Sequence, residues 1–395
     1  MDHQDYRQHL QQSMAGTECP FPEAELQRRR AAVSEAMRAS GLDALLLTAP
    51  ADIFYLTGYS TFEVSVHTAL LFTPWHMMLQ VPSIETGPAV ACTRIDDIRG
   101  YRWENDDEIL DPLVEAMTDI GTHIGVDAWH GSLRHGVMQG LQARLPGCRF
   151  IDAADILHGI RIVKSLAELD CLAESARITG LGIEAAAAVV RPGTTDSEVA
   201  AVGAHALHQA GSEFMSMQPI VTTGRRSSVI HLNHQRHEIR QGEPVFLEFG
   251  SAWQRYTAPM MRTVIVGQPT PRMHKTLDTC RRMFDALLET MRPGMDFDGA
   301  ARAAERALAP MASEAFFSGV FGYAVGAQFP PSWIEGTGFI ARGQTRQFEP
   351  DMVFHLPLCL RIPGEWGIGC SDTVRVTESG GIPLTANPWS LSAND

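Results

Sequence analysis

Val190-Arg191-Pro192-Gly193 is the stretch on which the fold turns, because Met291-Arg292-Pro293-Gly294 repeats it later in the chain. Each tetrapeptide stops a long helical pattern: proline cannot continue the helix, and glycine accepts the left-handed backbone that ends one. A shorter helical segment follows each stop. Each half then carries an apolar, β-rich run, Pro244 to Phe249 in the first and Met352 to Leu356 in the second. Two helix-helix-sheet halves imply a pseudo-twofold, curved antiparallel sheet backed by helices, with a cleft between the halves. Two unrelated helix stops would give the same tetrapeptides, so the repeated order of elements carries more weight than the match itself.

Upstream of the first stop, Ser165 and Glu168 form a capping box, and Leu169, Leu172, Ala173 and Ala176 share one helical face. Thr195 with Glu198 makes a second box. The segment Ile160 to Lys164 before this helix is the expected domain boundary, giving domains 1–160 and 161–395. In the first domain, Phe21-Pro22 opens a helix that Gly41 ends, and Ala44 to Leu47 reads as a buried strand. Phe54 to Phe62 mixes strand and turn residues, Ala69 to Phe72 is apolar, and Ile124 to Asp127 looks like a strand end. The first 20 residues are polar and read as loose. The alternation predicts an α/β domain, and the whole chain an α/β (α+β) protein.

The 395 residues carry 32 Lys and Arg against 46 Asp and Glu, a formal charge of -14 that disfavours a nucleic-acid surface. No apolar run approaches the roughly 20 residues needed to span a bilayer. Met1-Asp2-His3-Gln4-Asp5 lacks the basic and apolar segments of a signal peptide. The seven cysteines include no CxxC pair and read as mostly buried thiols in a reducing compartment. The expectation is a cytoplasmic protein with neither nucleic-acid nor membrane partners.

Several polar residues interrupt apolar runs. Glu248 sits inside Pro244-Val245-Phe246-Leu247-Glu248-Phe249-Gly250. A carboxylate there is either ion-paired, with Arg262 as the nearest candidate, or tuned for catalysis. His231, His234 and His237 are spaced three apart without matching a zinc signature, and His231 is a candidate base near Glu248. Tyr323 and Trp333 could line a pocket for a small cation, with Glu335 meeting the same charge; the other reading is a rigid Pro330-Pro331 turn packed under aromatics. His355 in Met352-Val353-Phe354-His355-Leu356 either faces the cleft or is a satisfied core histidine.

These residues carry a resemblance. Residues 160–384 resemble the catalytic domain of the creatinase / aminopeptidase P / prolidase family, the pita-bread fold, through Lys164-Ser165, Phe246 to Gly250, Arg262-Thr263, Gly322 to Gly326 and Asp372 to Gly380. Tyr55-Leu56-Thr57-Gly58-Tyr59 resembles the family's smaller domain. The family's peptidases hold two metals with two Asp, one His and two Glu. Those positions fall here on Glu248, Pro259, Tyr323, Pro357 and Ser371, and a second loop histidine falls on Pro330.

The resemblance therefore implies the metal-independent branch, nearest the ectoine hydrolases, which share the Arg255-Tyr256-x-Ala258-Pro259 run, Gly322-Tyr323 through Glu335, and Trp366-Gly367. It implies a hydrolase that cleaves a C–N bond of a small amidine or amide, zwitterionic or cationic, with no metal or cofactor, working as a homodimer. Glu248 would be nucleophile or cation stabiliser and His231 the proton carrier. Tyr256, Arg262, Tyr323, Trp333, Glu335 and His355 would shape the substrate pocket, joined by Phe62 and His67 from the smaller domain. The alternatives are a non-catalytic small-cation binder on the same fold and a Xaa-Pro peptidase-like metallohydrolase.

Overall fold

The computed structural model describes residues 3–102 and 104–392. The chain divides into two compact units, Met1–Ile160 and Arg161–Asp395. Before the first strand lie a helix over His3–Ser13, where loose chain is expected, and the helix Glu23–Ala39.

The first unit is built on a six-stranded mixed sheet of β1 (Ala44–Leu47), β2 (Ala69–Phe72), β3 (Met77–Pro82), β4 (Asp97–Tyr101), β5 (His123–Val126) and β6 (Arg149–Asp152). The strands lie in the order β4-β3-β2-β1-β5-β6. Strand β1 is apolar throughout because both faces are covered: Leu45 and Leu47 enter one core cluster, Ala44 and Leu46 the other. The Phe54-to-Phe62 segment departs from the strand-and-turn expectation. Pro50–Thr57 is a helix, with proline at its start and Gly58 at φ 82 closing it. Proline fixes the first turn at no hydrogen-bond cost, and local helix signals outweigh the β-branched content.

The second unit repeats its order of elements. Helices Leu166–Ala188 and Asp196–Gln209 precede β7 (Ile220–Thr223), β8 (Pro244–Phe249) and β9 (Met260–Ile265). Helices Pro271–Thr290 and Phe297–Leu308 precede β10 (Val320–Ala324), β11 (Phe339–Ala341), β12 (Val353–His355), β13 (Leu358–Ile362), β14 (Trp366–Cys370), β15 (Thr373–Thr377) and β16 (Gly380–Pro383). Both capping boxes form, and Gly193 and Gly294 both take φ 85. In place of one curved sheet, the hydrogen bonding gives three: β7-β8-β9, β13-β14, and β11-β10-β12-β15-β16. Side chains tie them together. Thr263 Oγ1 donates to the Gly369 carbonyl at 2.9 Å, and Thr373 Oγ1 to the Pro259 carbonyl at 2.8 Å.

Strand alternation sets which residues meet the helices. Val245, Leu247 and Phe249 pack on Ile178, Ile183, Val199 and Leu207 of the first helix pair. Contact is so close at Gly203 that an added Cβ would lie 2.0 Å from the Phe249 ring. Ala324 and Phe354 likewise pack on Phe284, Leu287, Phe297 and Ala300 of the second pair. Phe246 and Glu248 of β8, Tyr323 of β10 and His355 of β12 alternate with these core residues and face away from the helices.

Candidate active site

Glu248 is opposite Ile220 on β7 and Met261 on β9. Ile220 and Met261 form an apolar patch with Phe246 and Cys359, so the carboxyl stands among hydrocarbon and sulfur. It is 5% exposed and makes no hydrogen bond or ion pair among the described residues. Burial raises its pKa to about 7, with the Arg361 charge pulling the other way. Cys359 is no nucleophile here, because burial raises its thiol to about 11.

On the neighbouring sheet Tyr323 and His355 are register partners. The Tyr323 hydroxyl accepts from Trp333 Nε1–H at 2.8 Å and shares a hydrogen bond with His355 Nδ1 at 2.7 Å. His355 Nε2 meets Ser371 Oγ at 2.6 Å, and that oxygen accepts the Met261 N–H at 2.7 Å. Burial lowers the His355 pKa to about 3, so the ring is neutral and carries one proton. Burial, then the Glu248 charge, pushes the Tyr323 phenol well above its ordinary value. Trp333, Tyr323, His355 and Ser371 thus form one neutral, hydrogen-bonded chain ending on the strand beside Glu248.

The other expected site residues take different places. Arg262 lies opposite Leu247, on the helix-facing side of β8, so it neither pairs with Glu248 nor reaches the patch; its guanidinium donates to the Ser392 carbonyl. A one-residue offset along a strand reverses the face, which is why sequence nearness misleads. His231 is exposed, with a left-handed φ of 62, and no hydrogen bond brings it to Glu248. Tyr256 donates its hydroxyl to Glu168 at 3.0 Å inside the core. Glu335 accepts from Lys164 at 2.6 Å and Arg161 at 3.2 Å, which makes it a buried ionic lock rather than a cation anchor.

In the first unit His67 is buried, with its Nε2 on Gln80 Oε1 at 3.1 Å. Phe62 is 75% exposed. Sequence reasoning missed Arg361, the cation near Glu248. Its signal was an arginine inside the otherwise apolar run Leu358-Cys359-Leu360-Arg361-Ile362, the same kind of interruption that marks Glu248.

Residues 170–378 match Metallopeptidase family M24, and residues 29–163 match the Creatinase/Prolidase N-terminal domain. The chain belongs to metallopeptidase family M24. Its curated M24 relatives include the uncharacterized hydrolase/peptidase y4tL of Sinorhizobium fredii, 29% identical over 94% of this chain and 97% of that one. The ectoine hydrolase of Halomonas elongata is 27% identical over 94% and 98%. The X-Pro aminopeptidase structure from Thermotoga maritima superposes with a TM-score of 0.81 at 19% identity, covering 92% of this chain and 99% of that one, which shows the shared fold. Dipeptidase PepE from Mycobacterium ulcerans does so at 0.77 and 25%, over 94% and 98%.

Most names among these M24 relatives and neighbours are those of peptidases. That overturns the expectation of a metal-independent hydrolase of non-peptide C–N bonds. The dinuclear ligand set of the family is a separate matter, and the residues present do not fit it. Of the five expected positions only Glu248 is a carboxylate; Pro259, Tyr323, Pro357 and Ser371 occupy the rest. Among the described residues no group of three or more His, Cys, Asp and Glu is placed to hold a metal ion. Two divalent ions need several anionic oxygens, and a guanidinium near the one carboxylate repels them further.

Proposed function

We propose that this M24 protein hydrolyses the C–N bond of a small peptide-like amide, in the manner of the dipeptidases among its relatives. The observation that carries the reading is Glu248: a carboxyl with no hydrogen-bond or ion-pair partner among the described residues, facing an apolar patch, with a pKa of about 7. A group poised there both takes and gives a proton at neutral pH.

As carboxylate, Glu248 removes a proton from a water that attacks the amide carbon. As carboxylic acid, it returns that proton to the leaving nitrogen as the C–N bond breaks. One water is consumed, and one carboxylate and one amine are released. A secondary amine such as the proline nitrogen leaves only when protonated, so a proton donor near neutrality matters most there. The chain from Trp333 to Ser371 holds the Tyr323 hydroxyl in place through two hydrogen bonds, and its high pKa keeps a polar O–H, not a second anion, on the site. The ordered polar chain opposite an unsatisfied acid supports an enzyme, because a carboxyl with a pKa of about 7 serves as base and as acid in one cycle.

The test is a panel of Xaa-Pro and other dipeptides, with ectoine alongside, incubated with purified protein with and without added Mn2+ or Co2+ and read by mass spectrometry. Dipeptide cleavage that Glu248→Gln abolishes is expected. Turnover of ectoine with every dipeptide left intact overturns the reading.

A further inference from the structure

We infer that Arg361 is the specificity-determining anchor of this site, taking a carboxylate carried on the leaving-amine side of the substrate. The inference rests on the amide-hydrolase reading and adds the substrate class: an N-acyl amino acid, dipeptides included, with its carboxylate free.

Three observations carry it. First, Arg361 is 8% exposed, and its Nε is buried with no partner. Among the described residues its guanidinium makes no hydrogen bond and no ion pair. Arg255 and Arg161 also leave Nε unpartnered at comparable depth, but their terminal nitrogens donate, Arg255 to Phe214, Ser216 and Gln328, and Arg161 to Ala327 and Glu335. A buried, unpartnered charge costs free energy, and the cost is recovered when a ligand supplies the counter-charge.

Second, the position is built. Arg361 lies opposite Gly367 in the β13-β14 ladder, where an added Cβ would come within 3.0 Å of the Arg361 Cγ. Its guanidinium carbon lies 5.7 Å from the Phe246 ring centroid. Phe246 and Glu248 share a face of β8, Cys359 and Arg361 share a face of β13, and Cys359 packs on Phe246. Cation and acid therefore border one apolar patch without an ion pair between them.

Third, the chemistry fits a cation and an acid that border one patch. The planar guanidinium fork matches a carboxylate in two parallel hydrogen bonds. In an N-acyl amino acid the carboxylate is two bonds from the scissile nitrogen, so its anchor must stand close to the group that protonates that nitrogen. A carboxamide or a further peptide unit would put a neutral group against the fork and leave the charge unpaired, a penalty large enough to exclude longer peptides.

The experiment titrates full-length protein calorimetrically with proline, alanine and leucine and with their amides. It then compares Ala-Pro, N-acetylproline and Ala-Pro-amide as substrates for the wild type, Arg361→Lys and Arg361→Met. At least one free amino acid binds ten-fold or more tighter than its amide, and Arg361→Met erases that preference. For the acids, KM rises ten-fold or more in Arg361→Met with a smaller change in kcat, and Arg361→Lys falls between. Equal binding of acid and amide by the wild type overturns the anchor, as does binding of neither. An Arg361→Met protein that melts normally and keeps the preference also overturns it. Arg361-dependent carboxylate binding without cleavage of any amide removes the hydrolase reading and leaves the anchor standing. Cleavage indifferent to the carboxylate does the reverse.

Discussion

The Tyr323 hydroxyl is bonded on two sides, 2.7 Å from His355 Nδ1 and 2.8 Å from Trp333 Nε1. Both partners are buried, so this one oxygen satisfies two groups that have no water to turn to. Tyr323→Phe leaves the indole N–H and one imidazole nitrogen unpaired, at about 1–3 kcal/mol each. Chemical denaturation is expected to show a loss in that range or somewhat above it. An unchanged midpoint would mean that the chain does not order the site.

Glu248 gives a pH signature. Its pKa is raised from 4.5 to about 7 on folding, so the folded state holds the proton more tightly than the unfolded chain. Stability is unaffected by this group below about pH 4.5 and falls as pH rises toward 7, by about 3 kcal/mol in all. Glu248→Gln removes that slope. The variant is expected to melt higher than the wild type at pH 8 and much nearer to it at pH 5. The same ionisation makes wild-type kcat/KM fall as pH drops below about 7.

Glu335 behaves in the opposite sense. Burial works to raise its pKa, but the pairs with Lys164 and Arg161 win and hold it below the ordinary value. The stabilisation is therefore present above the unfolded pKa and lost as pH falls through the acid range. Glu335→Ala strands two buried cations and is expected to cost about 3–5 kcal/mol in equilibrium unfolding. A near-neutral result would return Glu335 to the list of candidate ligand anchors.

His231→Ala is expected to leave turnover within two-fold of the wild type, roughly 0.4 kcal/mol in barrier. The residue is exposed, and no hydrogen bond joins it to Glu248. A hundred-fold loss in steady-state assays would show that the loop folds onto the site during catalysis.

Gly369 is where packing alone can be tested. A Cβ there would sit 2.4 Å from the Phe246 ring and 3.0 Å from Cys359 Sγ, so its nearest neighbours belong to the apolar patch and not to Glu248 or Arg361. Gly369→Ala is expected to destabilise by about 1–3 kcal/mol and to reduce activity while leaving the pH midpoint of kcat/KM in place.

Much of the fold was legible along the chain. The capping boxes at Ser165 and Thr195 and the glycines after Pro192 and Pro293 are local signals, and the helices obey them. Continuous apolar runs located β8 and β12, and a lone polar residue in each marked Glu248 and His355. Those features depend only on neighbours in sequence, so sequence by itself determined them.

What the tertiary structure decided was which polar residues meet. Arg262 and Arg361 both interrupt apolar strands, yet only Arg361 shares the patch with Glu248, because face and register depend on which strands pair. Glu335 looked free until folding brought Lys164 and Arg161 to it across a long stretch of chain. The pKa values of Glu248 and His355 follow from the same cause: burial is a property of the assembled sheets, and no residue carries it alone.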